Sequence, residues 1–133
     1  MSRVTWGVAV IAVLTGAALV IARPSASVPR VAAPSRVRIR VQVLNATSTR
    51  GLARRTTVFL RDRGFDVVEV ATAPQSRDST LVIDRSGHPE WAQLVARALG
   101  GVQVEARPDS SRYLDITVLV GRDWTPPSDP FYP

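Results

Sequence analysis

Residues 36–64, RVRIRVQVLNATSTRGLARRTTVFLRDRG, change hydrophobic period part-way through, and that change decides the fold. From Arg36 to Ala46 the pattern has period two. Val37, Ile39, Val41 and Val43 point one way, and Arg38, Arg40, Gln42 and Leu44 point the other, as in a strand with one buried face. From Ser48 to Arg63 the period lengthens to three or four. Leu52, Thr56, Phe59, Leu60 and Arg63 share a face with Ala53 beside them, which predicts an amphipathic helix capped by Thr47 or Ser48. Gly64 supplies the left-handed stop, and Phe65 is placed to fold back onto Leu60.

The same reading extends downstream. Asp66 to Val70 is a short strand, Ala71 to Ser79 a polar loop, and Thr80 to Asp84 another strand. Pro89 opens a second helix whose buried stripe is read as Trp91, Leu94, Val95 and Ala98, with Gly100 and Gly101 ending it. Val102 to Glu105 and Leu114 to Val120 close the order β-α-β-β-α-β-β. Two amphipathic helices over one sheet predict an α+β, two-layer α/β sandwich. The uncovered face is expected to carry Arg38, Arg40, Gln42, Glu69, Thr80, Asp84, Gln103, Glu105, Asp115 and Thr117, and to be wet.

Upstream, Val4 to Ala22 carries no charge. As a helix it spans about 28 Å, close to the hydrocarbon thickness of a bilayer. Trp6 stands near one end, where an indole suits the interface. This predicts a transmembrane anchor at 4–22 behind a short flank at 1–3. A cleaved signal peptide is the alternative, against which stand the length of the run and Arg23-Pro24 directly after it. Pro24, Pro29 and Pro34 make 23–35 a semi-extended stalk, the domain then occupies 36–124, and 125–133 is a Pro-rich tail expected to be disordered.

Composition narrows function. The 133 residues allow one ordinary domain, and the net charge is +6 with every basic residue an arginine. From Arg36 onward 14 arginines stand against 11 acids, well interspersed. The open sheet face offers Arg, Gln and Thr where an RNA-binding sheet offers aromatics, so nucleic acid is not an expected partner. With no cysteine, thiolate chemistry and disulfides are excluded. His88 is the single histidine and has no second nitrogen ligand, so neither metal nor cofactor is expected.

Val41-Gln42-Val43-Leu44-Asn45-Ala46-Thr47, Gly51-Leu52-Ala53 and Arg63-Gly64-Phe65-Asp66-Val67-Val68 together resemble the opening half of the LytR C-terminal domain family. Ala98-Leu99-Gly100-Gly101 and Asp115 to Trp124 are similar to its ending. The resemblance covers about Val37 to Trp124. It implies a cell-envelope setting outside the cytoplasm and brings no catalytic centre. The counting of flanking arginines, Arg3 before the apolar run against Arg23, Arg30 and Arg36 after it, favours the opposite orientation. The exported orientation is read from the resemblance. Ala46 stands where the family's turn usually has Gly, a strained placement if that turn requires positive φ.

Two groups of residues invite a functional reading. Asn45, Thr47 and Gly51 lie where the first strand meets the first helix, and Arg54, Arg55, Arg61 and Arg63 concentrate charge on that helix. Asn45, Thr47, Arg54 and Arg55 are the candidate contacts for an anion, with turn formation and a solvated helix face as the structural alternatives. Asp84, Ser86 and His88 fall within five residues but span a strand end and a tight turn, which suits capping better than a nucleophilic triad. The sequence therefore predicts a non-enzymatic, membrane-anchored envelope module, contacting cell-wall polymer or another envelope protein. A protein–protein adaptor, and a secreted domain released by signal cleavage, are the alternatives.

Overall fold

The computed structural model describes residues 31–34, 36–110 and 113–127. The elements are β1 (Arg40–Asn45), α1 (Leu52–Arg61), β2 (Asp66–Thr72), β3 (Leu81–Asp84), α2 (Pro89–Ala98), β4 (Gln103–Ala106) and β5 (Ile116–Val120), in the order that the sequence predicts. The predicted span from Val4 to Ala22 and most of the stalk lie outside the described residues. Among the described residues no helix is long and apolar enough to cross a membrane.

The five strands form one mixed sheet in the order β2-β1-β5-β3-β4. β1 is parallel to both β2 and β5, β3 is parallel to β4, and the antiparallel seam runs between β3 and β5. Two strand–helix–strand units thus run in opposite directions, and β5 joins them. Leu52, Ala53 and Leu60 of α1 share one buried cluster with Ala92, Val95 and Ala96 of α2, built on Val41, Val43, Val82, Ile116, Val118 and Val120. Both helices therefore cover the same face, as the pattern requires.

Local chemistry explains most boundaries. α1 begins later than predicted: its N-cap is Gly51, with φ 76° and no side-chain cap, and not Thr47 or Ser48. The hydroxyls of Thr56 and Thr57 donate to the carbonyls of Leu52 and Ala53 at 2.7 and 2.8 Å, so both threonines are buried without an unmet polar group. At the other end the Phe65 N–H donates to the Leu60 carbonyl at 3.2 Å and the Gly64 N–H to that of Arg61 at 2.9 Å. This is the predicted Schellman closure, with Phe65 and Leu60 both buried.

In α2 the stripe is rotated from the expected one. Ala92, Val95, Ala96 and Leu99 are fully buried, while Trp91, Leu94 and Ala98 flank the cluster half-buried. Alanines facing the sheet let the helix approach closely, and the larger side chains fill the margins. Parity in β3 is also corrected. Val82 points into the helix-covered core, so Thr80 and Asp84 share its side, and Leu81 and Ile83 take the reverse face.

That reverse face is more closed than expected. Leu81, Ile83, Gln42 and Thr117 are all buried on it. The Thr117 hydroxyl donates to Gln42 Oε1 at 3.0 Å and accepts from Arg85 Nε at 3.2 Å, a polar relay from β1 through β5 to the residue after β3 that satisfies what alternation alone would leave in water.

Candidate functional site

The chain arrives beside the C-terminus of α1, where the Ala33 N–H donates to the Arg63 carbonyl at 2.9 Å. Ala33 itself packs against the core cluster. From this entry end β1 and β5 run to the far end of the sheet, where α1 starts, β3 starts and α2 finishes. The predicted anion contacts lie at that far end.

Asn45 closes the turn after β1. Its Oδ1 accepts from the Thr47 N–H at 2.9 Å and from the Thr47 hydroxyl at 2.7 Å, and its Nδ2 donates to the Thr49 carbonyl at 2.8 Å. The Thr49 N–H donates to Thr47 Oγ1 at 3.1 Å. The polar atoms of Asn45 and Thr47 thus hold the loop that delivers the chain to Gly51. Ala46 is unstrained: no described residue other than glycine has positive φ, and its N–H donates to the Val120 carbonyl at 3.0 Å.

The segment after β5 ties to the same end. The N–H groups of Arg122 and Asp123 donate to the carbonyls of Arg77 and Asp78, and the Arg77 N–H donates to that of Ala46. Asp123 Oδ1 accepts from both the N–H and the hydroxyl of Thr80, at 2.9 and 2.8 Å. Gly121 passes so close that an added Cβ would stand 2.5 Å from the Ser79 carbonyl carbon. Trp124 meets Phe59 edge to face at 5.3 Å between ring centroids. Beside it lies a shallow cleft of about 410 Å³, lined by Ser79, Thr80, Gly100, Gly101, Asp123 and Trp124 among others.

The arginines divide between the two ends. At or towards the entry end most are engaged. Arg38 pairs with Asp66, Arg40 with Asp115 and Arg107 with Glu105. Arg61 donates to the Val67 carbonyl, and Arg63 lies 3.5 Å over the Phe59 ring. At the far end the guanidiniums of Arg50, Arg54 and Arg55, with that of Arg97 from the last turn of α2, are exposed and have no hydrogen-bond or ion-pair partner among the described residues. The four arginines that the sequence grouped on α1 therefore separate: Arg54 and Arg55 stay free, whereas Arg61 and Arg63 are used by the fold. Arg50 and Arg97 join the free set, which sequence spacing did not signal because they belong to other segments. The first turn of α1 holds no acid.

Asp84 and His88 do not converge. Asp84 is buried, and its Oδ1 accepts from the N–H groups of Ser86, Gly87 and His88 at 3.1, 3.1 and 3.3 Å. The carboxylate thus braces the loop entering α2. The His88 ring stacks on Trp91 at 3.8 Å, and its Nδ1 lies 3.2 Å from Glu90. Among the described residues no cluster of three metal-ligating side chains forms.

Comparison with known proteins is consistent with this geometry. The chain is similar to the soluble domain of a conserved hypothetical secreted protein from Mycobacterium marinum, with a TM-score of 0.50 and 23% identity over 65% of this chain and 61% of that one. It spans about three fifths of that domain's length, and the likeness is one of fold. It is also similar to the C-terminal domain of RV0431, with a TM-score of 0.44 and 32% identity over 67% of this chain and 76% of that one. No curated protein matches. The model of the family described as LytR cell envelope-related transcriptional attenuator matches residues 38–124, from just before β1 through Trp124, and the chain belongs to that LytR C-terminal domain family.

Proposed function

We propose that the protein is a membrane-tethered, non-catalytic accessory module of the cell envelope, with residues 4–22 as a single-pass anchor and the domain outside the cytoplasm. The observation that carries this reading is the family match over 38–124, which takes in every strand and helix of the domain, in a family described as envelope-related and not by a reaction. The uncharged run from Val4 to Ala22 supports the tether. The use of Asp84 as a brace for backbone N–H groups, with the His88 ring turned to Trp91, supports a structural role for the most reactive-looking cluster of the sequence. Within this reading the domain contacts a wall component close to the bilayer.

A protein-adaptor reading draws on a different feature. β2 is an edge strand, and Val68, forced out by a bulge against β1, and Val70 are both about half exposed. An edge of this kind accepts an added strand. Crosslinking in intact membranes that recovers one stoichiometric protein would favour this version.

The tether is tested with the full chain carrying a reporter after Pro133 that is active only outside the cytoplasm, combined with alkaline extraction of membranes. Reporter activity with retention in the membrane pellet is expected. A full-length chain recovered in the cytosol with its N-terminus intact would overturn the proposal.

A further inference from the structure

We infer that the far end of the domain is a docking surface for a flexible polyanion, a linear polymer bearing phosphate groups, held by Arg50, Arg54, Arg55 and Arg97. The inference deepens the envelope reading and rests on it only for the source of the ligand. Three observations carry it.

Charge is distributed unequally along the sheet axis. The acids near the entry end take up arginines there: Asp66 holds Arg38, Asp115 holds Arg40 and Glu105 holds Arg107. The far-end acids do not neutralise the free set, since Asp78 pairs with Arg122 and Asp123 is occupied by Thr80. Four exposed guanidiniums from the loop before α1, the first turn of α1 and the last turn of α2 are left without partners among the described residues.

The second observation is the local backbone. Arg54 and Arg55 stand in the first turn of a helix whose cap is a glycine without a side-chain bond and whose first turn has no acid. The helix dipole there already favours an anion, and two fixed cations add to it. An anionic ligand relieves this charge, whereas a cationic or neutral one does not.

The third is direction. The chain enters at the opposite end, at Ala33 beside Arg63. The four arginines therefore lie at the end of the domain remote from the point where the chain enters it. On the proposed tether, an end remote from the entry point favours a polymer in the space beyond the membrane over the headgroups of the same membrane. Guanidiniums spread over several segments suit a repeating chain of phosphates, each taking a charge-assisted bond, more than one compact anion.

The test uses the full chain in a neutral detergent, with end-labelled inorganic polyphosphate as probe and fluorescence anisotropy as readout. Four phosphate contacts predict a slope of about −3 for log affinity against log salt, so binding weakens by about 50-fold between 50 and 200 mM salt. The pair Arg54→Gln and Arg55→Gln is expected to weaken binding about tenfold and to reduce the slope by about half. The pair Arg36→Gln and Arg107→Gln removes the same charge at the other end and is expected to change affinity less than twofold. Thermal melts of all variants establish that they are folded. Equal losses from the two pairs would reduce the effect to overall charge and overturn the inference, as would absence of binding at 50 mM salt. Displacement of polyphosphate by micelles doped with phosphatidylglycerol, at matched phosphate concentration, would assign the surface to lipid instead. Failure of the reporter fusion would remove the envelope as the ligand's source and leave polyphosphate binding intact, so the two ideas fail separately.

Discussion

Two glycines at the far end are required for different reasons, and substitution separates them. At Gly51 the backbone is left-handed with φ 76°, but nothing lies within 4 Å of an added Cβ. Gly51→Ala is therefore expected to cost about 1–2 kcal/mol from conformation alone, and Gly51→Asn less, because asparagine tolerates that region. At Gly121 the conflict is with the Ser79 and Thr80 backbone. Alanine and asparagine should both destabilise there, alanine by about 1–3 kcal/mol, because backbone cannot yield as a side-chain tip does. Urea unfolding of the four variants checks the contrast, and a mild Gly121→Asn would refute the close approach. Asp84→Ala is expected to lose about 1–3 kcal/mol by stranding three loop N–H groups, while His88→Ala, which removes an exposed stack on Trp91, should lose about 1 kcal/mol or less. These roles were only half legible in the sequence. The Gly-x-x-Trp ending of Gly121 to Trp124 could be matched to a family, but the reason for its glycine lies in Ser79, which is distant along the chain and carries no pattern.

At the scale of the element, legibility followed periodicity. β1, α1 and β5 were read with the right faces because each has a long, clean alternation or a 3.6-residue stripe. β3 was misread because four residues with apolar side chains on both faces hold no parity signal, and Thr80 and Asp84 are buried through bonds to Asp123 and to the loop entering α2. α2 was read with its stripe turned, since hydrophobicity ranks Trp91 and Leu94 above the alanines that meet the sheet. The candidate site was partly visible: Arg54 and Arg55 could be named, whereas their freedom from partners is a property of the packed domain. α1 yields a prediction that sets stability against binding. Arg54→Glu with Arg55→Glu places acids at an acid-free helix start, and should stabilise the domain by about 0.3–1 kcal/mol. The melting temperature should therefore rise by a few degrees while polyphosphate binding is lost. A fall in melting temperature would show that these arginines serve the fold.

The whole molecule holds onto more chain than the family match includes. Ala33 is tied to Arg63 and packs on the core, five residues before that match begins. A domain starting at Val31 should therefore be more stable than one starting at Arg38, by about 1 kcal/mol for one hydrogen bond and the half-buried alanine, as measured by denaturant midpoint. Strand order was the feature least accessible from sequence, because neighbours in the chain are not neighbours in the sheet: β1 and β3 never pair, and each touches β5. That arrangement has a temporal consequence. The keystone of the sheet is the last of the described strands to be made, so during synthesis the two halves wait with their inner edges bare. Assembly can be completed only when Ile116 to Val120 has emerged. A chain released a few residues short of that point would be left as two separate ribbons, open to capture by chaperones or by each other.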